Sequence, residues 1–274
     1  MQKDQQHVLI TGSSSGMGRA VAIYLAEQGY YVYAGSRTPQ KLFDVRSENL
    51  YPLELDITDP RSIEQAVSRI GTIDILVNNA GYGLVSTVEE VEEVEMFNQF
   101  NVNVFGVMRM CKAVIPKMRK QKSGIIINIS SFLGKIGLPL LTFYNASKYA
   151  VEGITDSLRY ELRDFNIRVH SIMPGFFDTN FARDNLVANP ATFSEASPYA
   201  RMVSTLAPVI IEQINNGNDT MEVAKLILEM IEDQRAPARQ TAGDKSKKFI
   251  PMKRELSDED FERRVRAYYG LKDG

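Results

Sequence analysis

Short apolar segments alternate with segments of helical periodicity along most of this chain, and this alternation restricts its fold more than any other feature. The first apolar segment, His7–Thr11, is followed by a glycine-rich turn, a helical pattern over 20–26 and a second apolar segment at 30–34. A strand, a helix and a strand at this spacing are typical of a crossover between parallel strands. The chain therefore begins with a predicted βαβ unit.

The same alternation continues to residue 172. It predicts further strands at 51–56, 73–77, 124–129 and 168–172, and helices at 39–45, 62–70, 92–119 and 143–165. Strands that read as continuous apolar runs are typical of a parallel sheet covered on both faces. We therefore predict one α/β domain over residues 1–274, in which six parallel strands form a doubly wound, three-layer sheet of the Rossmann type.

Residues 176–217 interrupt the alternation. They carry several large apolar side chains among polar and proline residues: Phe176, Phe177, Phe181, Phe193, Tyr199 and Met202. Open α/β sheets bind ligands beyond the carboxyl ends of their strands, and this region follows the last predicted strand. We predict a substrate lid here, with completion of the hydrophobic core as the alternative.

A C-terminal extension occupies residues 235–274. It starts with a basic, proline-interrupted stretch that reaches Arg254. A short amphipathic helix is predicted after Ser257, because acidic residues follow that serine and arginines come later. Phe261, Val265 and Tyr268 are spaced to share its apolar face.

Composition excludes several classes of function. The net charge of −2 leaves no basic excess with which to neutralise the phosphates of a nucleic acid. Cys111 is the only cysteine, which excludes an intrachain disulfide and a multi-cysteine metal site, and His7 and His170 lie in predicted strands as structural residues. We expect no metal. No apolar run has the length of a membrane anchor and the first residues lack the pattern of a signal peptide, so we expect a cytoplasmic protein.

The turn after the first strand has the features of a phosphate-binding loop. It runs from Thr11 to Gly18 as T-G-S-S-S-G-M-G. Gly12 allows a tight turn, Gly16 lets the backbone approach a ligand, and Gly18 lets the helix approach the strand. The following helix offers unpaired N–H groups and a partial positive charge at its amino end, so we predict that a pyrophosphate binds there.

Other polar motifs lie at the ends of the later strands. The segment 78–81 reads N-N-A-G after the fourth strand, Ser131 follows the fifth, and the segment 144–148 reads Y-N-A-S-K. Tyr144 and Lys148 are four residues apart and therefore share one face of a predicted helix. A lysine ammonium beside a phenol lowers the pKa of the tyrosine, as a general acid/base for an alcohol oxygen requires. Ser131 can donate a hydrogen bond to the same oxygen.

Together with the glycine-rich turn and Pro174-Gly175, these motifs make the chain resemble the short-chain dehydrogenase/reductases over about residues 5–230. The resemblance is to their shorter single-domain branch, and the C-terminal end is similar to that of the hydroxysteroid and retinol dehydrogenase-like members. It implies an acid/base tyrosine, an oxygen-binding serine, a lysine that also holds the nicotinamide ribose, and an asparagine on a water-linked proton path. These roles fall on Tyr144, Ser131, Lys148 and Asn103, with Ser130 and Asn101 as the neighbouring alternatives to Ser131 and Asn103.

The resemblance also implies a nicotinamide dinucleotide cofactor. Where NAD-selective enzymes place an acidic residue after the second strand, this chain has Ser36 followed by Arg37, which predicts a preference for NADP(H), with NAD(H) as the alternative. Asp56 matches an aspartate beside the adenine, and 174–179 matches the segment that covers the nicotinamide. The full set of predicted cofactor contacts is Gly12, Ser14, Ser15, Gly16, Met17, Gly18, Ser36, Arg37, Asp56, Ile57, Asn78, Ala80, Gly81, Tyr144, Lys148, Pro174, Gly175, Phe177 and Thr179.

We therefore predict an NADP-dependent oxidoreductase that interconverts a carbonyl and a primary or secondary alcohol on an apolar small molecule, such as a steroid, a retinoid, or a fatty or aromatic ketone. The alternatives are an NAD-linked alcohol dehydrogenase, an NADP-binding redox sensor or scaffold without turnover, and a sugar-nucleotide epimerase or dehydratase. The short chain and the glycine spacing argue against the last. The resemblance implies a homodimer formed through the helices at 92–119 and 143–165, with a tetramer as the alternative.

Overall fold

The computed structural model describes residues 6–179 and 185–271, and a parallel sheet lies at its centre. The strands are, in chain order, β1 (His7–Thr11), β2 (Tyr31–Ser36), β3 (Leu50–Glu54), β4 (Ile75–Asn78), β5 (Gly83–Val85), β6 (Gly124–Ile129), β7 (Ile167–Pro174), β8 (Leu186–Ala188) and β9 (Arg239–Ala242). Seven of these form one sheet in the order β3-β2-β1-β4-β6-β7-β9, while β5 and β8 pair in a separate parallel ladder.

Helices cover both faces of the sheet. They are α1 (Gly16–Glu27), α2 (Pro60–Arg69), α3 (Glu93–Phe100), α4 (Val107–Gln121), α5 (Thr142–Glu161), α6 (Ala200–Asn215), α7 (Met221–Glu232), α8 (Gly243–Glu255) and α9 (Asp258–Tyr268). Alternate residues of β1 point to opposite faces: Val8 and Ile10 join the core under α1 and α7, and Leu9 joins the core under α2 and α4. The predicted doubly wound Rossmann sheet is confirmed.

The winding of the chain reverses between β1 and β4. The chain passes outward from β1 to β2 and β3, and then returns to the other side of β1 with β4. Such sheets bind ligands at the carboxyl ends of the strands where the winding reverses. Here the glycine-rich turn meets the segment 78–81, because the Thr11 hydroxyl accepts hydrogen bonds at 3.0 Å from the backbone N–H groups of Asn79 and Ala80.

The prediction of six strands is wrong by one, because β9 adds a seventh strand beside β7. The sequence of β9 is Arg-Gln-Thr-Ala, which has no apolar run to reveal a strand. Its register is supported by charge as well as by backbone pairing, since Arg239 forms ion pairs with Glu152 and Asp156 on α5. The C-terminal extension therefore completes the edge of the main sheet.

The long helix predicted over 92–119 is interrupted in the structure. A π-helical turn at Asn101–Gly106 separates α3 from α4. The wider turn carries Asn103 inward, where its side chain bonds the backbone of Tyr82. Such turns are frequent at functional sites. The weak helix predicted at 39–45 is also shorter than expected, since it is a 3₁₀ turn at Pro39–Leu42.

The region 176–217 is more regular than the sequence pattern suggested. Its second half is helix α6, whose buried residues Val203, Leu206, Ile210 and Ile214 recur at helical spacing. Phe176 and Phe177 are buried, whereas Phe193 is exposed and Tyr199 and Met202 are half-buried. Phe181 lies outside the described residues.

Helix α9 is the amphipathic helix predicted after Ser257. The Ser257 hydroxyl caps it by accepting a hydrogen bond of 3.1 Å from the Asp260 N–H. Phe261 and Val265 are buried, but Tyr268 is half-buried and the next residue, Tyr269, occupies the core instead. Together with α6 and α8, this helix closes a third hydrophobic cluster beside the carboxyl end of β7.

The two histidines lie in strands as predicted. His7 begins β1, and the Nδ1 atom of His170 in β7 is 2.8 Å from the carbonyl oxygen of Pro237. Across 6–179 and 185–271, none of the helices combines the length and the apolar character that crossing a membrane requires.

Candidate active site

A cavity of about 830 Å³ opens at the carboxyl ends of β1, β2 and β4. This volume is within the range of about 300–1,000 Å³ that is usual for small-molecule sites. Many of the predicted cofactor residues line it: Gly12, Ser14, Ser15, Gly16, Met17, Gly18, Ser36, Arg37, Asp56, Ile57, Ala80, Gly81 and Thr179.

The glycine-rich turn is shaped to receive an anion. Gly12 and Gly16 have φ angles of +69° and +53°, a left-handed conformation that glycine adopts most readily. A Cβ atom on Gly12 would lie 2.7 Å from the Cα atom of Ala80, so the close approach of the two segments depends on glycine. Ser15, at the start of α1, makes no capping bond with any described residue, and the first turn of α1 carries no acidic side chain. The positive end of α1 therefore suits a pyrophosphate.

The prediction that Asn78 contacts the cofactor is not supported by its position. Asn78 is the last residue of β4 and is buried, and its Nδ2 atom donates to the Asn128 Oδ1 atom at 2.9 Å. The next residue, Asn79, lines the cavity instead. Its Nδ2 atom donates to the carbonyl oxygens of Thr11 and Gly12 at 3.0 and 3.1 Å, which ties the turn to β4. Successive residues at a strand end point in opposite directions, and this alternation separates the two asparagines.

One end of the large cavity is positively charged. Ser36, Arg37, Thr38 and Lys41 line it together, and both cationic side chains are exposed. Lys41 was not predicted, although its position four residues after Arg37 and two after Pro39 could have drawn attention to it. On the adjoining wall, the Asp56 Oδ1 atom accepts hydrogen bonds from the N–H and the hydroxyl of Thr58 at 2.8 and 2.7 Å.

A second, smaller cavity adjoins the first and is mostly apolar. It contains four of the predicted cofactor residues that the large cavity lacks, Tyr144, Pro174, Gly175 and Phe177, while Met17 and Thr179 line both cavities. Its other lining residues include Ser130, Ser131, Leu133, Leu141, Phe176, Leu186, Ile210 and Ile214. The carboxyl end of β6 and helix α5 therefore bring the predicted serine and tyrosine into the apolar cavity, which shares two lining residues with the large one.

Ser131 and Tyr144 are hydrogen-bonded through their side chains. The Ser131 Oγ atom also accepts a bond of 3.1 Å from the Leu133 N–H, which fixes its orientation at the start of a 3₁₀ turn. The neighbouring Ser130 Oγ atom is buried and has no partner among the described residues. The geometry therefore favours Ser131 over Ser130 as the partner of Tyr144.

Lys148 and Asn103 lie deeper than Tyr144. The Lys148 Nζ atom donates to the Ile129 carbonyl oxygen at 2.9 Å and is 5.7 Å from the centre of the Tyr144 ring. The Asn103 Nδ2 atom donates to the Tyr82 carbonyl oxygen and to the Ser147 hydroxyl, at 2.9 and 3.1 Å. A Cβ atom on Gly81 would lie 3.1 Å from Asn103 Oδ1 and 3.7 Å from Lys148 Nζ, so these polar groups surround one small space.

Asn101, the alternative to Asn103, belongs to a different part of the site. It lines the large cavity, and its carbonyl oxygen accepts a bond from Arg109. Asn103 therefore fits the predicted role better than Asn101 does.

Burial dominates the protonation of the tyrosine and the lysine. It raises the pKa of Tyr144 to about 12, with the Ser131 hydrogen bond acting in the opposite direction, and lowers the pKa of Lys148 to about 8, with the charge of Glu152 opposing. The expectation that Lys148 lowers the pKa of Tyr144 toward neutrality is therefore wrong for this geometry. The arrangement instead holds a neutral phenol, bonded to a hydroxyl, at the edge of an apolar cavity.

Comparison with known proteins agrees with this site. Residues 6–189 match the sequence profile of the short chain dehydrogenases. This chain belongs to the short-chain dehydrogenase/reductase family. It is thus an oxidoreductase of CH–OH groups, and the predicted family is confirmed.

Two relatives show how far the similarity extends within the short-chain dehydrogenase/reductases. The chain is 37% identical to the 3-ketodihydrosphingosine reductase of Bacteroides thetaiotaomicron, over 97% of this chain and 99% of that protein. It is 34% identical to retinol dehydrogenase 8 of Bos taurus, over 90% of this chain and 84% of the relative. The first match spans nearly the whole of both chains, including the C-terminal extension.

Solved short-chain dehydrogenase structures have the same fold. One from Streptomyces avermitilis is 29% identical and superposes with a TM-score of 0.82 over 98% of each chain. Another, from Burkholderia cenocepacia in complex with NADP, is 26% identical and has a TM-score of 0.75 over the whole of both chains.

Proposed function

We propose that this chain is an NADP(H)-dependent oxidoreductase that interconverts a carbonyl and an alcohol on an apolar or amphipathic small molecule. The observation that carries the proposal is that the bonded pair Ser131 and Tyr144 lines the apolar cavity, which shares Met17 and Thr179 with the large cavity. A carbonyl group bound in the apolar cavity would reach this pair and face the large cavity.

The chemistry follows from this chain's own residues. A nicotinamide dinucleotide in the large cavity would supply or accept the hydride. Ser131 binds the substrate oxygen by a hydrogen bond, and Tyr144 gives its proton to that oxygen during reduction. A pKa of about 12 keeps the Tyr144 phenol protonated at neutral pH, which is the form that reduction needs. Lys148 places a positive charge behind the phenol, and Asn103 holds the backbone of Tyr82 opposite α5.

The positively charged end of the large cavity supports NADP(H) over NAD(H) as the cofactor. A 2′-phosphate needs cations and is repelled by a carboxylate. Arg37 and Lys41 line this end of the large cavity, and the position that carries the acidic residue in NAD-selective enzymes is Ser36. A related short-chain dehydrogenase structure holds NADP.

Apolar side chains support a substrate with an apolar part. Leu133, Leu141, Phe176, Ile210 and Ile214 surround the smaller cavity. Leu186 and the two isoleucines belong to the region 176–217, so we propose that this region acts as the lid over the substrate. A 3-ketodihydrosphingosine is the first compound to test, because the reductase of that name is similar over the full length. Retinal is the second, on the basis of the retinol dehydrogenase.

The proposal is tested by titrating the purified protein with NADPH and NADH and then following NADPH oxidation with a panel of carbonyl compounds. The panel contains 3-ketodihydrosphingosine, all-trans-retinal, and a small water-soluble ketone as the control for apolar selectivity. We expect tighter binding of NADPH and faster turnover of the two long apolar compounds. Tight cofactor binding without turnover of any carbonyl or alcohol would instead support the sensor or scaffold alternative.

A further inference from the structure

A buried carboxylate lies one helical turn beyond Lys148. Glu152 follows Lys148 by four residues in α5 and therefore shares its helix face. Only 3% of the Glu152 surface is exposed. A carboxylate is rarely buried to this degree unless cations neutralise it, so its partners show what it does.

One oxygen of Glu152 is held by two cations. The Oε2 atom is 3.2 Å from the Lys135 Nζ atom and 2.5 Å from the Arg239 Nε atom. Arg239 comes from the edge strand β9, and its second nitrogen, Nη2, is 2.5 Å from the Oδ1 atom of Asp156, the next acidic residue along α5. The other Glu152 oxygen, Oε1, is buried and has no hydrogen-bond partner in the described ranges 6–179 and 185–271.

The turn after β6 closes over this region. A Cβ atom on Gly134 would lie 2.9 Å from the Lys148 carbonyl oxygen and 3.2 Å from the Glu152 Cγ atom. Glycine therefore lets the turn that starts at Ser131 press directly on the segment of α5 between Lys148 and Glu152. Such tight packing keeps water away from the carboxylate and strengthens its electrostatic effect on neighbouring charges.

Lys148 has few polar partners of its own. Its Nζ atom is buried and donates to the Ile129 carbonyl oxygen, and Glu152 is the negative charge that favours its charged form. The other charged or titratable groups around the pair are Tyr144 on α5, Lys135 on the turn after β6, and Arg239 with its partner Asp156. Among the described residues, Glu152 is the one whose negative charge opposes the effect of burial on the Lys148 ammonium.

We propose that Glu152 is a positioning residue that keeps Lys148 in its ammonium form, and that Arg239 limits this effect by drawing the same carboxylate toward β9. This inference rests on the proposed function, in which Lys148 acts behind Tyr144. It gives the C-terminal strand, which makes no contact with the two cavities in the described residues, an electrostatic connection to the catalytic helix.

A purely structural role is the competing explanation, in which Arg239 and Glu152 only fasten β9 to α5. The two explanations differ in the sign of their effects. If the ion pair only holds β9 against α5, replacing either partner weakens the same contact, and both replacements should affect Lys148 in the same direction. In our proposal, removing the Glu152 charge destabilises the Lys148 ammonium, whereas removing the Arg239 charge stabilises it.

The test is the pKa of Lys148 in the full chain, measured by NMR on protein labelled with ¹³C and ¹⁵N in its lysines. The Lys148 signal is assigned by its loss in Lys148→Arg. We expect Glu152→Gln to lower the midpoint by about one pH unit and Arg239→Met to raise it. Asp156→Asn is the matched control, because it removes the other ion pair of Arg239 but leaves Glu152, and it should keep the midpoint near that of the wild type.

An unchanged midpoint in Glu152→Gln, or shifts of the same sign in Glu152→Gln and Arg239→Met, would overturn the inference. If Arg239→Met does not fold, Arg239→Lys replaces it, because lysine keeps a positive charge that can hold β9 to α5. The comparison of Glu152→Gln with Glu152→Asp then decides: the Lys148 midpoint in Glu152→Asp must lie closer to the wild-type value than to the value in Glu152→Gln. Since the NMR measurement needs no substrate, absence of turnover on every carbonyl would end the proposed function without affecting this result.

A second readout applies once a substrate is found. In Glu152→Gln the decline of kcat at alkaline pH should move to lower pH by the same amount as the Lys148 midpoint, with KM for the substrate little changed. A fall in kcat that is equal at all pH values would indicate a structural role and contradict the proposal.

Discussion

Two single residues near Ser36, Arg37 and Lys41, are expected to give the site its preference for NADPH over NADH. Arg37→Ala combined with Lys41→Ala should weaken NADPH binding by about 10- to 100-fold, since charge-assisted hydrogen bonds contribute about 1.5–3 kcal/mol, and should leave NADH binding nearly unchanged. Isothermal titration of both cofactors measures this. Gln40→Ala is the control, because Gln40 lies in the same 3₁₀ turn but does not line the cavity. Equal losses for NADPH and NADH would show that the two cations do not read the 2′-phosphate.

The buried ammonium of Lys148 makes stability depend on pH. Its pKa falls from 10.5 in the unfolded chain to about 8 in the fold. Between these values the unfolded chain binds more protons, so the contribution of Lys148 to the free energy of unfolding rises with pH. We expect wild type to gain about 2 kcal/mol relative to Lys148→Met between pH 7 and pH 9.5. Urea denaturation at both pH values tests this, and a constant difference between the two proteins would be inconsistent with a lowered pKa.

At the scale of elements, helix α6 sets the expected substrate selectivity. Ile214 lines the apolar cavity, whereas Ile211 on the same helix is 44% exposed. The larger side chain in Ile214→Phe should exclude a few methylene groups of a long-chain ketone from the cavity and so raise the KM for that ketone by at least about 10-fold. The KM for a small ketone should change little. Ile211→Phe adds the same bulk on the outer face and should change neither. Equal effects of the two substitutions would remove α6 from the substrate site.

The elements differ in how far the sequence could predict them. Strands such as β6, with the sequence Gly-Ile-Ile-Ile-Asn-Ile, are continuous apolar runs, and the predicted strands end within two residues of the observed ones. By contrast, β9 is polar and is held by its pairing with β7 and by ion pairs, which depend on residues far away in the sequence. The π-helical turn also escapes prediction, because its residues fit an ordinary helix and only the buried contacts of Asn103 show the difference.

The residues of the site also differ in how far the sequence could predict their roles. The spacing of the motifs was sufficient to predict that Ser131, Tyr144 and Lys148 lie close together, because each follows or faces the carboxyl end of a parallel strand. The pKa direction of Tyr144 could not be predicted in this way, since it depends on how much water the surrounding side chains exclude. The difference between Asn78 and Asn79 likewise depends on where β4 ends, which hydropathy fixes only to within two residues.

At the scale of the whole molecule, exposed apolar side chains support the predicted homodimer. Phe97, Phe105 and Met108 lie on α3, the π-helical turn and α4, and Tyr149 lies on α5, which packs against α3 and the turn. Single exposed apolar residues are common, but several on adjoining helices mark a candidate interface. Met108→Glu should therefore shift the mass measured by light scattering toward that of the monomer, while Phe43→Glu, at an exposed site near β2, should not. A wild-type monomer at micromolar concentration would contradict the predicted homodimer.

In the proposed reaction the Tyr144 hydroxyl transfers the proton, while other residues of the chain form the cofactor site. The most direct test compares Tyr144→Phe with wild type, measuring NADPH affinity by fluorescence and kcat with the best ketone of the panel. We expect an NADPH Kd within about twofold of wild type and a kcat reduced by about 10²- to 10⁴-fold, the contribution usual for general acid catalysis. Turnover that survives the loss of this hydroxyl would contradict this role of Tyr144.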